Sequence, residues 1–452
     1  MTDHGQLARR FPADFTFGVA TAAFQIEGAS GEDNRGSSIW DDFARVKGRV
    51  KNGDTGEIAC DHYHCWQTDL DLIQALGVRA YRFSIAWPRL LPEGRGAINA
   101  AGLGFYDRLI DGCLERGLKV FPTLYHWDLP SALMKSGGWT GRDTAYAFAD
   151  YAHLVAESFG DRINAIATLN EPWCTAILGH LQGVFAPGIS DIGSTMQAIH
   201  TQHLAHGMAI VAMRSSHPKL SMGIVLNAQS VYPLSAGAAD KDAAQRHFQF
   251  HNATWFDPLF KGHYPSEVIS ELGHLLPPRW QDDLAAICQP LDFWGLNYYT
   301  PTRVTTNNDT DAAYPATVSR IPDGAITTDI GWEIAPETLT DLLLNLNRRY
   351  RLPPCYITEN GACYNHQLKD GEVDDFPRKN YLQSHLDSVA NAIEKGVDIR
   401  GYFAWSLLDN FEWAEGYAMR FGIVHVDYDT QTRTIKRSGH WYRNLVTHHR
   451  LS

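Results

Sequence analysis

The stretch Trp66–Ala86, WQTDLDLIQALGVRAYRFSIA, holds one helix followed by one strand. Leu70, Ile73 and Leu76 fall on one side at a spacing near 3.6, which predicts a helix over 66–76 with one face against a core. Arg79–Ala86 is then an apolar and aromatic run of strand length. Working outward, strand-like runs recur at Phe15–Ala23, Lys119–Leu124, Ile163–Asn170, Lys219–Leu226, Asp292–Asn297, Cys355–Glu359 and Ile399–Ser406, with the first unit making eight. Helical spacing fills the gaps, as in Ala145–Phe159 with Phe148, Ala152 and Val155 aligned. Strand and helix alternating eight times is the pattern of an α/β (β/α)8 TIM barrel, whose sheet closes on itself and whose active-site groups sit at the C-terminal strand ends. The Gly- and Pro-containing stretches 28–58, 227–265, 301–332 and 407–435 are then expected as long loops at that face. Two doubly wound halves would need a Gly-rich phosphate loop after a first strand, and neither half has one. No break in composition marks a boundary, so residues 1–452 are expected to form a single catalytic domain.

Lys and Arg number 39 against 51 Asp and Glu, a net charge of −12, and the basic residues occur only as isolated pairs such as Arg9-Arg10 and Arg348-Arg349. Nucleic acid is therefore not an expected partner, because tracking phosphates requires a basic stripe. No apolar run reaches the roughly 18 residues needed to span a bilayer, so no membrane partner is expected either. The N-terminus MTDHGQLARRFPADF has no apolar signal core, and seven scattered Cys (60, 65, 113, 174, 288, 355, 363) suit reduced thiols; both readings point to the cytoplasm. The 13 Trp, 19 Tyr and 20 Phe raise the question of what so many flat faces stack on.

Polar residues gather at the strand ends. The fourth strand candidate runs into Thr168-Leu169-Asn170-Glu171-Pro172-Trp173 and the seventh into Tyr356-Ile357-Thr358-Glu359-Asn360-Gly361. Strands 4 and 7 face each other across an eight-stranded barrel, so Glu171 and Glu359 are placed to converge at its mouth. A carboxyl pair across a pocket is what glycosidic cleavage requires: one protonates the leaving oxygen, the other attacks or activates water.

These motifs resemble glycoside hydrolase family 1, the β-glucosidase family, and the resemblance runs from Phe11 to about Trp441. Further segments agree: Phe17–Gly28 (FGVATAAFQIEG), Tyr81–Arg89 (YRFSIAWPR), Leu124–Asp128 (LYHWD), Gly295–Tyr299 (GLNYY) and Asn410–Trp413 (NFEW). The resemblance implies a cofactor-independent and metal-free retaining β-glucosidase acting on a small-molecule β-glycoside, with Glu171 as acid/base and Glu359 as nucleophile. Glucosyl, galactosyl and fucosyl residues of cellobiose, short oligosaccharides and aryl glycosides are the implied substrates, and a homo-oligomer is left open. Beside it stands a physical reading: Arg82 and the Tyr299 phenol would keep Glu359 ionised, and the charge on Glu359 would raise Glu171 by repulsion. Gln25, His126, Asn170 and Glu412 are the implied ligands of sugar hydroxyls, Asn170 that of the 2-hydroxyl. Trp405 and Trp413 are the implied sugar platform, with Trp127, Asn297 and Phe421 also in the sugar site, while Trp173 and Trp332 would wall the leaving-group side. A 6-phospho-β-glycosidase would place Ser, Lys and Tyr at Glu412, Met419 and Phe421; none is present. A non-catalytic sugar-binding barrel would be expected to lack one of the two glutamates, and both are here.

Trp66 and Trp87 are expected in the core, whereas Trp173, Trp405 and Trp413 follow strand ends. Cys60-Asp61-His62-Tyr63-His64-Cys65 invites zinc, but no second Cys/His pair lies at suitable spacing. His200, His203 and His206 step by three along a helix, which marks a packed or solvated face rather than a ligand set.

Overall fold

The computed structural model describes residues 3–307, 309 and 314–451. Eight strands close into a parallel barrel: β1 (Thr16–Ala20), β2 (Ala80–Ser84), β3 (Lys119–Tyr125), β4 (Ile166–Asn170), β5 (Met222–Leu226), β6 (Phe293–Asn297), β7 (Cys355–Asn360) and β8 (Ile399–Trp405). Each pairs with its neighbour in sequence, and β1 pairs with β8 from Thr16↔Gly401 to Ala20↔Trp405, which removes every sheet edge. The predicted strands are all present; six are shorter than predicted, while Lys119–Tyr125 and Cys355–Asn360 each run one residue further. Residues 163–165 stop outside the ladder because the Asn164 side chain turns back to accept from the Val120 amide at 2.7 Å. Ala23 similarly leaves β1 to open a short buried helix, Ala23–Ile26.

The barrel interior is filled from below by rings. Phe121 meets Phe403 edge-on at 5.1 Å and Tyr356 at 5.5 Å, and Tyr356 meets Phe293 at 5.7 Å. Gly18 makes room for this plug, since a Cβ there would lie 2.5 Å from the Phe403 ring. Burying each such ring stabilises the fold by about 1.5–3 kcal/mol, so the closed end is core and only the opposite end is free for chemistry. Around the sheet, the predicted helices appear as His62–Ala75 and Asp143–Phe159. Trp87 is fully buried and Trp66 packs against the core, as their positions suggested.

The four stretches expected as loops are more ordered than that. Residues 28–58 contain the helix Ile39–Ala44, started by a reciprocal Ser38–Asp41 capping box. Residues 227–265 are mostly helical, with Ala238–Phe248 and Thr254–Phe260 joined by a π turn at Gln249–Ala253. No glycine interrupts 238–260, and Ala243, His247 and Phe248 supply a buried stripe, a signal outweighed by the Gly and Pro on either side. Val231–Pro233, Thr302–Thr306 and Thr317–Ser319 form a small separate sheet; 308 and 310–313 lie outside the described residues. Val424–Val426 pairs with Arg433–Ile435 within 407–435.

Candidate active site

The eight strand ends open onto a cavity of about 550 Å³. Its backbone is bent where the chemistry-bearing side chains leave the sheet. Glu171 (φ 44°), Trp127 (φ 77°) and Trp413 (φ 47°) all adopt the left-handed region, which non-glycine residues rarely occupy and which gathers at functional sites. The register also shifts between Ala167 and Asn170 on β4 and between Ile357 and Glu359 on β7. Such irregularities re-aim side chains, and here they turn two carboxyls toward the mouth. After Glu171 the chain enters a π-helix, Cys174–Leu181, and after Glu359 it passes Gly361, where a Cβ would sit 1.7 Å from the Trp405 carbonyl oxygen.

Both glutamates are buried and line the cavity, but they are wired differently. Glu359 accepts from Arg82 Nη1 at 2.6 Å and from the Tyr299 hydroxyl at 2.6 Å. Glu171 accepts only from neutral groups, Asn297 Nδ2 at 2.6 Å and the Cys174 thiol at 3.1 Å. Burial first, and then the charge on Glu359, push Glu171 up to about 7. The repulsion read from the sequence is therefore real but secondary to desolvation. Burial raises Glu359 as well, opposed by Arg82 and Tyr299. The two titrate as a pair, and the guanidinium beside Glu359 assigns it the negative charge while the proton stays on Glu171.

A ring of amides locks this arrangement. Asn170 Oδ1 accepts from Arg82 Nη2 at 2.6 Å and from Asn297 Nδ2 at 3.0 Å, while Thr358 Oγ1 donates to Asn297 Oδ1 at 2.7 Å. Asn170 Nδ2 donates to His126 Nε2 at 3.1 Å, so the imidazole proton stands on Nδ1; burial and then Arg82 hold that ring well below its ordinary pKa, hence neutral. Among the described residues, Gln25 Oε1, His126 Nδ1 and Glu412 Oε2 are buried atoms without a partner, as is Arg82 Nε behind them. A buried polar atom left unpaired is destabilising by about 1–3 kcal/mol, a penalty that a hydroxyl-rich ligand would relieve. Glu412 is pushed up to about 8 by burial and then by Glu359 and Glu171, which favours its neutral carboxylic acid form near pH 7.

The sequence-predicted residues come together here. His126, Trp127, Glu171, Trp173, Asn297 and Tyr299 line the cavity, as do Trp332, Glu359, Trp405, Glu412, Trp413 and Phe421. Arg82 and Asn170 stand in the layer behind, bonded to the lining residues Glu359 and His126, while Gln25 is held by Asn410 and the Phe411 carbonyl and is not itself a lining residue. Trp405 lies over His126 at 5.8 Å, and Trp332 packs between Tyr299 and Phe421 at 5.3 and 5.7 Å. Four residues with roles at the wall were not read from the sequence: Cys174, Asn227, Gln229 and His251. Cys174 was legible in principle, one helical turn beyond Glu171; the other three belong to the stretch taken as loop.

The remaining clusters face elsewhere. His62 pairs with Asp69 at 2.8 Å, His64 with Asp61 at 2.6 Å, and Cys60 donates to the Asp409 carbonyl at 3.1 Å, so these side chains diverge. His200, His203 and His206 are buried along Ile192–Ser216, His200 against Asp283 at 3.0 Å and His206 against Thr168 at 2.7 Å. No helix among the described residues is long and apolar enough to cross a membrane.

A closed parallel barrel presenting two buried carboxyls, one held by an arginine and a phenol and the other by neutral groups, beside unpaired hydrogen-bonding atoms and tryptophans defines a glycoside hydrolase. The chain belongs to glycosyl hydrolase family 1, whose model matches residues 7–451. It is 55% identical over 447 residues to a beta-glucosidase of Agrobacterium sp., covering 99% of this chain and 97% of that protein. It is 47% identical over 445 residues to beta-glucosidase A of Thermotoga maritima, covering 98% and 99%. Among solved structures, virulence factor SghA of Agrobacterium tumefaciens, in complex with its substrate analog salicin, superposes with a TM-score of 0.98 at 55% identity over 99% of both chains.

Proposed function

We propose that the protein is a retaining β-glucosidase that removes terminal non-reducing β-D-glucosyl residues from cellobiose, short oligosaccharides and aryl glucosides, working as one catalytic unit without a cofactor. The observation that carries this reading is the unequal wiring of the two glutamates: one carboxyl held by an arginine and a phenol, the other by neutral groups and raised to about 7. Glu171 gives its proton to the glycosidic oxygen as Glu359 attacks the anomeric carbon, so the leaving group departs as an alcohol and a glycosyl ester remains. Forming that ester removes the charge on Glu359, which lowers Glu171. Glu171 then takes a proton from the incoming water, whose oxygen displaces Glu359 and restores both groups.

The sugar site follows from the atoms left unpaired. Gln25 Oε1 accepts, His126 Nδ1 donates, and the Glu412 carboxyl does either, while the second amide proton of Asn170 serves the 2-hydroxyl. A carboxyl that can donate or accept suits either orientation of a 4-hydroxyl and tolerates loss of the 6-hydroxyl, so galactosides and fucosides are expected substrates too. Trp405 and Trp413 offer faces to the apolar side of the ring, Trp173 and Trp332 to the aglycone. No Lys or Arg lines the cavity among the described residues, which counts against a 6-phosphorylated substrate.

The test is Glu359→Ala supplied with azide. Turnover of a nitrophenyl glucoside should collapse without azide and return with it as the α-glucosyl azide. Persisting hydrolysis, or a β-azide product, would remove Glu359 from the nucleophile's role.

A further inference from the structure

The wall of the cavity facing Trp173 is held by two histidines that take no part in the chemistry above. Trp173 Nε1 donates to His251 Nδ1 at 2.7 Å. His251 stacks on His247 with ring centroids 4.1 Å apart and planes 29° from parallel. They stand four residues apart where Ala238–Phe248 runs into the π turn Gln249–Ala253, so both rings project from one face. His247 in turn bonds Gln229 Oε1 through Nε2 at 2.8 Å and Thr317 Oγ1 through Nδ1 at 2.8 Å. Gln229 is itself fixed by its backbone, which exchanges two 2.8 Å bonds with the Asn252 side chain. Trp173 and Gln229 both line the cavity, whereas neither histidine does.

The direction of each bond follows from the groups. An indole N–H only donates, so His251 Nδ1 must present a lone pair and carry its proton on Nε2. With Gln229 offering oxygen, His247 donates from Nε2 and accepts the Thr317 hydroxyl at Nδ1. Burial lowers both rings below the ordinary histidine pKa, His247 to about 4, so the lone pairs persist at neutral pH. Without an acceptor at position 251, the Trp173 ring loses the contact that fixes its rotation and its N–H is left unpaired.

We infer that His251, braced by His247, is a positioning residue for the leaving-group side of the site: it sets the orientation of Trp173 and thereby the preference for the aglycone, not the chemistry at the anomeric carbon. This rests on the β-glucosidase reading above. The two glutamates and the residues holding the glucosyl ring lie outside this chain of contacts. The effect should therefore grow with the size of the group that must be placed against Trp173 and vanish when there is none.

The experiment compares cellobiose with β-glucosyl fluoride, whose leaving group has no ring to place, on the whole protein. In His251→Leu, kcat/KM for cellobiose should fall about tenfold, the size expected for one lost hydrogen bond, while glucosyl fluoride stays within about twofold of wild type. His251→Asn, which keeps an acceptor near the Nδ1 position, should recover most of the cellobiose activity. Trp173→Phe should lose cellobiose activity as well, and adding His251→Leu to it should cost nothing further on cellobiose. Equal losses on both substrates in His251→Leu, or full additivity in the double variant, would overturn the inference while leaving the glucosidase reading standing. A wild-type protein that hydrolysed neither substrate would overturn both.

Discussion

Asp409 and Glu412 are three residues apart, the first fully buried and the second partly, yet they belong to opposite kinds of electrostatics. Asp409 accepts from Lys436 at 2.6 Å, from Arg420 at 2.9 Å and from the Gly422 amide at 3.0 Å. Burial alone would raise it, but Lys436, Arg420 and Arg378 outweigh burial and hold it below the usual carboxylate range. Its neighbour Asp375 is paired with Arg378 and takes the Ser438 hydroxyl at 2.6 Å. Around Glu412 the ratio is reversed: Glu412, Glu171 and Glu359 share the single guanidinium of Arg82, which is committed to Glu359. Where cations match carboxylates the cluster is scaffold, fixing the turn after β8. Where carboxyls outnumber cations, protonation is unsettled near neutral pH, and that is the condition acid–base chemistry needs.

This contrast can be broken at either end. The largest effect is expected for Glu359→Ala, with a loss in kcat of at least about 10⁴-fold measured on nitrophenyl glucoside. Glu171→Gln should cost about 10²–10⁴-fold on cellobiose, whose leaving group needs a proton, and little in the glycosylation step of a dinitrophenyl glucoside; equal losses on both would contradict the acid role. On the scaffold side, Lys436→Met leaves Asp409 underpaired and should lower stability by about 3–5 kcal/mol in urea titration, with kcat of the folded protein little changed.

Smaller effects follow from pH. Glu171 acts in its protonated form, so kcat/KM for cellobiose should be retained below, and lost as pH rises through, about 7. In Glu359→Gln the second of the two influences that raise Glu171 disappears, and a carbon NMR titration of labelled glutamate should find its pKa lower, though still raised by burial. The last pH effect concerns Glu412→Gln. The folded-state pKa of Glu412 is raised, so the stability it contributes is present while it is protonated and is lost as pH climbs from the ordinary carboxyl range through about 8. The variant and wild type should therefore melt alike at pH 5, and the variant should melt higher at pH 9; the opposite order would show that Glu412 is paired after all.

The barrel was legible because its signal is repetitive: each strand is a short apolar run, and the alternation with helices is hard to produce otherwise. The paired glutamates were legible because a strand end is a defined place in a barrel, so Asn170-Glu171 and Glu359-Asn360 carried position as well as identity. Two things were not. The mouth segments read as loops because Gly and Pro flank real helices and Pro258 sits inside one, which hid the Ala238–Phe260 unit and with it the contacts of Trp173 and Gln229. The charge state of Glu412 was also hidden, since nothing in Asn410-Phe411-Glu412-Trp413 tells that Asp409 would take the nearby cations and leave Glu412 with none.

The central claim is that Glu359 forms a covalent bond to the sugar, and labelling with 2,4-dinitrophenyl 2-deoxy-2-fluoro-β-glucoside tests it most directly. The fluorine slows both steps and the good leaving group restores only the first, so an ester should accumulate. One equivalent of dinitrophenolate should be released in a burst, and peptide mass spectrometry should find the fluoroglucosyl group on Glu359. A label on another residue, or steady release with no adduct, would contradict the account.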